Sequence, residues 1–125
     1  MPAPDFALES QPSPHPGVTL LVASGDIDMT AAREFGRRLE SALRGSDGDV
    51  VLDLRAVEHL DSTALRGLLA ARRLAEARDA DMVLICARAP VLRVLKVTGL
   101  DELFPIFPDL DRALAGLGAA GPPER

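Results

Sequence analysis

One short stretch of this sequence, His59-Leu60-Asp61-Ser62-Thr63, holds the side chains best suited to chemistry. It combines an imidazole, a carboxylate and two adjacent hydroxyls. A serine hydroxyl can act as a nucleophile, while the carboxylate and the imidazole can hold or move a proton. A hydrolase triad needs these groups to converge in space, which residues this close along a chain do not readily do, and the Gly-x-Ser-x-Gly elbow is missing. We therefore predict no catalytic residue, and expect His59 to be partly buried or to lie at a sheet edge.

The elements on either side place this stretch at a turn between a strand and a helix. Residues 50–54 form a strand-like apolar run, and residues 64–77 space their leucines for one face of a helix. The first turn of a helix exposes backbone N–H groups and the positive end of the helix dipole, which suit a phosphate. Two interpretations stay open. In the first, Ser62 is a phosphorylation site, and in the second, Asp61-Ser62-Thr63 only caps the helix.

Strands alternate with helices along the rest of the chain. Strands are predicted at 18–24, 50–54 and 82–86, with shorter ones at 6–9 and 104–107. Thr30 or Asp28 can cap the first helix, Gly45 ends it, and Asp109 can cap a last helix that ends near 117. Short connections between such elements predict a single α/β domain with a mixed, mainly parallel sheet of four to five strands. The domain is expected over 5–117, with flexible ends at 1–4 and 118–125.

Composition narrows the function classes. The 125 residues carry a net charge of −5, which argues against a surface that binds nucleic acid. No apolar run approaches the roughly 18 residues that span a bilayer, so no membrane insertion is predicted. The single cysteine, Cys86, cannot form an intramolecular disulfide, which favours a reducing cytoplasm, and its apolar surroundings predict a buried thiol. Histidines and cysteines are too few for a zinc site, and we predict no metal and no cofactor.

Asp26, Asp28 and Asp53 offer a further possibility, an acidic cluster for Mg²⁺ or phosphoryl transfer. Such a cluster would be similar to that of a two-component receiver domain. Receivers carry an acidic pair directly after the first strand and a lysine at the end of the last strand but one. Here the acids are split as Asp26-Ile27-Asp28, and Lys96 falls in a predicted helix. The interruption of an apolar strand by Asp53 instead predicts a sheet face that is partly wet at that point.

Four pieces of the sequence together resemble the STAS domain, a family named for sulfate transporters and anti-sigma factor antagonists. They are Gly25-Asp26-Ile27-Asp28, Val51-Leu52-Asp53-Leu54, Leu60-Asp61-Ser62-Thr63-Ala64-Leu65 and Thr98-Gly99-Leu100. The resemblance runs from about residue 5 to 117, and the size of the chain is that of stand-alone members. It implies a STAS-like α/β fold with helices packed mainly on one face of the sheet.

The resemblance implies a regulator that switches partners and is not an enzyme. In such proteins the dephosphorylated domain binds an anti-sigma factor that is also a serine kinase, and a sigma factor is released. The kinase then phosphorylates the motif serine, and a phosphatase resets it. By motif match Ser62 is the phosphoacceptor. The implied partner-binding set is Asp26, Asp28, Asp61, Ser62, Thr63, Ala64 and Arg66.

Ala64 and Arg66 both stand where glycine is frequent in the family, and Arg66 adds bulk and charge one turn from the serine. An alternative keeps the fold and changes the role. In it the chain is a non-switching STAS subunit of a transport or signalling assembly, and Ser62 is only a cap.

Overall fold

A computed structural model of the chain describes residues 5–13 and 15–120, the last three of them by their backbone alone. Within these residues five strands and four helices alternate, with short 3-10 turns at Ser62–Ala64 and Leu100–Glu102. The elements are β1 (Phe6–Gln11), β2 (Val18–Ile27), α1 (Ala32–Arg44), β3 (Asp49–Leu60), α2 (Leu65–Glu76), β4 (Met82–Ile85), α3 (Ala89–Val97), β5 (Ile106–Phe107) and α4 (Leu110–Ala120).

The strands form one sheet in the order β1-β2-β3-β4-β5. β1 runs antiparallel to β2, and every other neighbouring pair is parallel. Parallel neighbours require long crossover connections, which the intervening helices supply. The mixed, mainly parallel five-stranded sheet confirms the predicted fold class.

Two hydrophobic clusters lie on opposite faces of the sheet. The larger cluster packs α1, α2 and α3 against one face, through fully buried side chains such as Phe35, Leu68 and Val91. The smaller cluster packs α4 on the other face, with Ala113 and Leu114 against the middle strands. Three of the four helices in the described residues therefore share one face, as the resemblance implied.

β2 and β3 both continue beyond their predicted ends. The residues of β3 after Asp53 pair with β2 across two irregularities, each of which places an additional β3 residue opposite β2. The buried residues Leu54, Val57 and Leu60 are consequently spaced by three, not two. A β-bulge inserts one extra residue and breaks the alternation by which a strand is recognised in sequence, so this half of β3 was missed.

The ends of the domain differ slightly from the expectation. Asp109 caps α4 as predicted, since its carboxylate accepts the backbone N–H of Arg112 at 2.9 Å. The helix continues to Ala120, three residues beyond the end near 117 that was predicted for it. Alanines after Gly118 favour helix and offset that single glycine. Residues 1–4 and 121–125, predicted to be flexible, lie outside the described range.

Gly99 and Cys86 behave as predicted. Gly99 has a φ of +80°, a backbone conformation that side chains other than glycine rarely adopt, and it ends α3. Cys86 is buried directly after β4, and burial raises the pKa of its thiol.

Candidate functional site

The turn after β3 is held by the side chain of Asp61. Asp61 has an extended backbone, and the chain then enters the 3-10 turn that leads into α2. One carboxylate oxygen of Asp61 accepts the backbone N–H of Thr63 at 2.9 Å and also its hydroxyl at 2.5 Å. The hydrogen bond from the Thr63 hydroxyl is the main cause that lowers the pKa of Asp61, and the bond from the Thr63 backbone N–H is the second. The carboxyl group is therefore ionised at neutral pH. Asp61 is therefore the cap of this helical segment.

The two adjacent hydroxyls are not equivalent. The Thr63 hydroxyl donates a hydrogen bond to the carboxylate of Asp61. Ser62 is exposed, and its hydroxyl makes no hydrogen bond to any residue that the structure describes. Within the motif Asp61-Ser62-Thr63, Asp61 therefore supplies the cap, and the Ser62 hydroxyl takes no part in it.

A second capped turn lies beside the first. The carboxylate of Asp28, after β2, accepts the backbone N–H of Ala31 at 2.9 Å and the hydroxyl of Thr30 at 2.8 Å. The hydrogen bond from the Thr30 hydroxyl is the main reason that the pKa of Asp28 is lowered. Of the two caps predicted for α1, Asp28 and not Thr30 is the acceptor. The backbone N–H of Asp61 donates to the carbonyl of Ile27 at 2.9 Å, so both turns lie at the same edge of the sheet.

His59 was predicted to be partly buried or to lie at a sheet edge. The structure shows it exposed, so the first of these alternatives is wrong. His59 lies opposite Asp26, in the part of β3 beyond Asp53, the last residue to pair with β4. In the described sheet, no strand pairs with this part of β3 on the β4 side. His59 therefore lies at a local edge of the sheet, which was the other position predicted for it. No geometry near His59 supports a triad with Asp61 and Ser62, since the Asp61 carboxylate is held by Thr63.

Asp53 does not join Asp26 and Asp28 in an acidic cluster. The residue is buried, at 7% exposure, and its carboxylate forms a two-point ion pair with Arg55, with Nη2 to Oδ2 at 2.7 Å and Nε to Oδ1 at 3.0 Å. Arg55 thus balances the charge of Asp53. The sheet face, which the sequence predicted to be partly wet at this point, is solvent-exposed at Arg55 and not at Asp53 itself. In the described part of the chain, no group of three or more His, Cys, Asp or Glu side chains could hold a metal ion.

A groove of about 590 Å³ between α1 and α2 opens next to Ser62. Ser62 and Arg66 line it from the α2 side, and Met29 and Arg33 line it from the α1 side. Met29 is 67% exposed, which is unusual for a large apolar side chain. Methionine and arginine are both enriched in protein–protein interfaces, so the groove has side chains that suit contact with a protein partner.

Two glycines let α1 and α2 approach closely below this groove. A Cβ atom built on Gly67 would lie 2.8 Å from the Cα of Gly36, and one built on Gly36 would lie 3.3 Å from the Cα of Gly67. Sequence reasoning missed the groove, including Met29 and Arg33. The available signal was the presence of one glycine inside each of two neighbouring predicted helices.

The predicted partner-binding set is only partly assembled. Ser62, Thr63 and Arg66 line the groove. Asp28 and Asp61 hold the two turns beside it, and Asp26 lies within β2. Ala64 is only 1% exposed and packs into the core, so its side chain is not available to a partner. The small side chain at position 64 is a packing requirement of the turn.

The fold is that of a small α/β domain that presents an exposed serine after its central strand, beside a groove. The family model of the STAS domain matches residues 11–113, and the chain belongs to that family. No helix among the described residues is long and apolar enough to cross a membrane.

Relatives similar over nearly the whole chain carry a consistent description. The chain is 29% identical over 117 residues to the anti-sigma-F factor antagonist RsfB of Mycobacterium tuberculosis, covering 94% of each chain. It is 26% identical over 104 residues to the anti-sigma F factor antagonist of Paenibacillus polymyxa, covering 82% of this chain and 89% of that one. Among solved structures, an anti-sigma factor antagonist from Mycobacterium paratuberculosis superimposes with a TM-score of 0.74 at 28% identity, covering 94% and 98% of the two chains.

Proposed function

We propose that this protein is an anti-sigma factor antagonist that is switched by phosphorylation of Ser62. In its unmodified form it binds an anti-sigma factor with serine kinase activity, and a sigma factor is released. Phosphorylation of Ser62 by that kinase ends the complex, and a phosphatase restores it. The protein acts in the cytoplasm as a binding module, without a cofactor or catalysis of its own. The descriptions of its full-length relatives support the first part of this proposal.

The observation that carries the switch is the difference between the two hydroxyls. A kinase needs a serine or threonine hydroxyl that is exposed and not already engaged. Thr63 is exposed, but its hydroxyl is bound to the ionised Asp61, whereas Ser62 is exposed and free within the described residues. Modification of Ser62 therefore breaks no hydrogen bond that holds the fold.

The same arrangement indicates how the phosphate acts. It adds about 1.5 to 2 negative charges and bulk at the mouth of the groove. Because Asp61 and not Ser62 caps the helix, the turn stays intact and the domain stays folded. The change is thus confined to the surface, where it opposes a partner by size and charge. A loss of about 3 kcal/mol in binding weakens the complex more than a hundredfold.

The non-switching subunit is the weaker candidate. In that alternative Ser62 has no role beyond a helix cap, whereas Asp61 supplies the cap and the Ser62 hydroxyl is exposed. That alternative remains an outcome of the experiment below.

The test is a comparison of wild type, Ser62→Ala and Ser62→Asp as bait in extracts of the native organism, with bound proteins identified by mass spectrometry. Ser41→Asp is the matched control, since it adds the same charge at an exposed serine on α1 outside the groove. Wild type, Ser62→Ala and Ser41→Asp are expected to retain the same small ATP-binding protein, and Ser62→Asp to lose it by more than a hundredfold.

The captured protein is then purified and supplied with ATP. It should transfer phosphate to wild type but not to Ser62→Ala. Equal retention by all four baits would contradict the switch and favour a constitutive subunit. A phosphorylated form that melts well below the unmodified protein would contradict the surface mechanism.

A further inference from the structure

The walls of the groove carry two arginines that lack ion pairs. Arg33 on α1 and Arg66 on α2 are exposed, and neither lies in an ion pair with a described residue. A third arginine, Arg37, is already bound to Glu34 at 2.6 Å. In a chain with a net charge of −5, two such cations beside Ser62 form a local positive surface.

Arg66 is placed to reach a group on Ser62. Ser62 lies in the 3-10 turn and Arg66 lies in the first turn of α2 that continues it, and both residues line the same groove. Their side chains therefore belong to one accessible surface. Arg33 approaches the same groove from the opposite wall.

The nearby negative groups are already engaged. Glu40, which also lines the groove, is bound to Arg44 at 2.8 Å. The carboxylate of Asp61 is held by the backbone and hydroxyl of Thr63. Neither acid has an ion pair with Arg33 or Arg66 in the described residues, so both guanidinium groups are available to a new anion.

We propose that Arg66 and Arg33 bind the phosphate of phosphorylated Ser62, so that modification closes the mouth of the groove with ion pairs inside this chain. We name these two residues the arginine pair. Guanidinium groups bind phosphate through paired, charge-assisted hydrogen bonds. The inference rests on the proposed function, because it requires Ser62 to be phosphorylated.

The arginine pair changes what phosphorylation does to the surface. The modified serine does not extend into solvent as an isolated charge. It draws Arg66 and Arg33 together over the groove and removes both cations from the surface that the unmodified protein presents to its partner. The inactive state is then partly a property of this chain, and does not depend only on repulsion by the partner.

The test uses protein in which phosphoserine is installed at position 62 during translation, so that no kinase is needed. The second pKa of the phosphate, about 6 for a free phosphoserine, is measured by ³¹P NMR titration. A nearby cation stabilises the dianion and lowers that pKa, so removal of the cation raises it. Arg66→Gln and Arg33→Gln are each expected to raise it by about 0.2 to 0.4 units, as for an exposed helix ion pair.

Arg73→Gln is the control, because Arg73 is exposed on α2 but does not line the groove. It should leave the phosphate pKa unchanged, and the charge of Asp61 is common to all four proteins. Equal pKa values in all four would overturn the arginine pair and leave the switch at Ser62 untouched. Failure of the captured kinase to modify Ser62 would overturn the proposed function, whatever the titration shows.

Discussion

The two ends of the layer formed by α1 and α2 use arginine in opposite ways. At one end, Arg78 donates from Nη1 to the carbonyl of Leu43 at 2.7 Å and from Nη2 to the carbonyl of Gly48 at 3.1 Å. It thereby satisfies backbone carbonyls at and after the end of α1. At the other end, Arg33 and Arg66 are exposed beside Ser62 and lack such acceptors in the described residues. Arg78 therefore holds the fold through two of its donors, while its buried Nε has no hydrogen-bond partner in the described residues. The exposed guanidinium groups of Arg33 and Arg66 are available to a ligand.

The largest expected difference between Arg78 and the two groove arginines is in the free energy of unfolding. Arg78→Met keeps the apolar stem and removes both carbonyl contacts, so the free energy of unfolding should fall by about 2 to 3 kcal/mol. Arg66→Gln and Arg33→Gln should change it by no more than about 0.5 kcal/mol, as surface substitutions do. Urea denaturation of the three variants measures this difference. Similar losses in all three would show that the groove arginines also hold the fold.

A second test lies between the two ends, where α1 and α2 are closest. Gly67→Ala places a Cβ 2.8 Å from the Cα of Gly36 and forces the backbones apart, with an expected net loss of about 1 to 2 kcal/mol. Gly36→Ala meets its neighbour at 3.3 Å, and the gain in helix propensity offsets much of the strain. Thermal unfolding should therefore rank Gly67→Ala below Gly36→Ala. The reverse order would mean that the helices separate freely at this crossing.

The smallest expected effect is on the pH dependence of stability, through Asp61 beside the groove. The pKa of Asp61 in the folded protein lies below its unfolded value of about 3.9, so its ionised form adds stability above that pH. This contribution is lost as the pH falls through the folded pKa. Asp61→Asn keeps an acceptor for Thr63 but cannot titrate. Below pH 4, wild type should lose stability more steeply with falling pH than Asp61→Asn. Parallel curves from acid denaturation would contradict the role of the charge.

Much of the fold was predictable because local signals agree with the final packing. The alternation of strands and helices, Asp109 at the start of α4 and Gly99 at the end of α3 all follow from short-range chemistry. The second half of β3 was not predictable, since bulges change the spacing of its buried residues from two to three. The ion pair between the buried Asp53 and the exposed Arg55 was also not predicted.

Some features of the candidate site could likewise be predicted from the sequence, and others could not. The position of Ser62 at a strand-to-helix turn follows from the sequence. Which hydroxyl is free does not, because Asp61 can cap in several ways and only the folded turn commits it to Thr63. The groove is a product of tertiary packing, since Met29 and Arg33 meet Ser62 only when α1 lies against α2.

The residues of the proposed binding surface lie in one part of the sequence. Both capped turns, the groove and the arginine pair come from residues 26–70, whereas β4, α3, β5 and α4 follow later in the chain. Beyond Asp53, the strand that leads to Ser62 no longer pairs with β4. The proposed binding surface therefore comes from one continuous stretch of sequence, and that stretch shares its hydrophobic core and its sheet with the elements that follow.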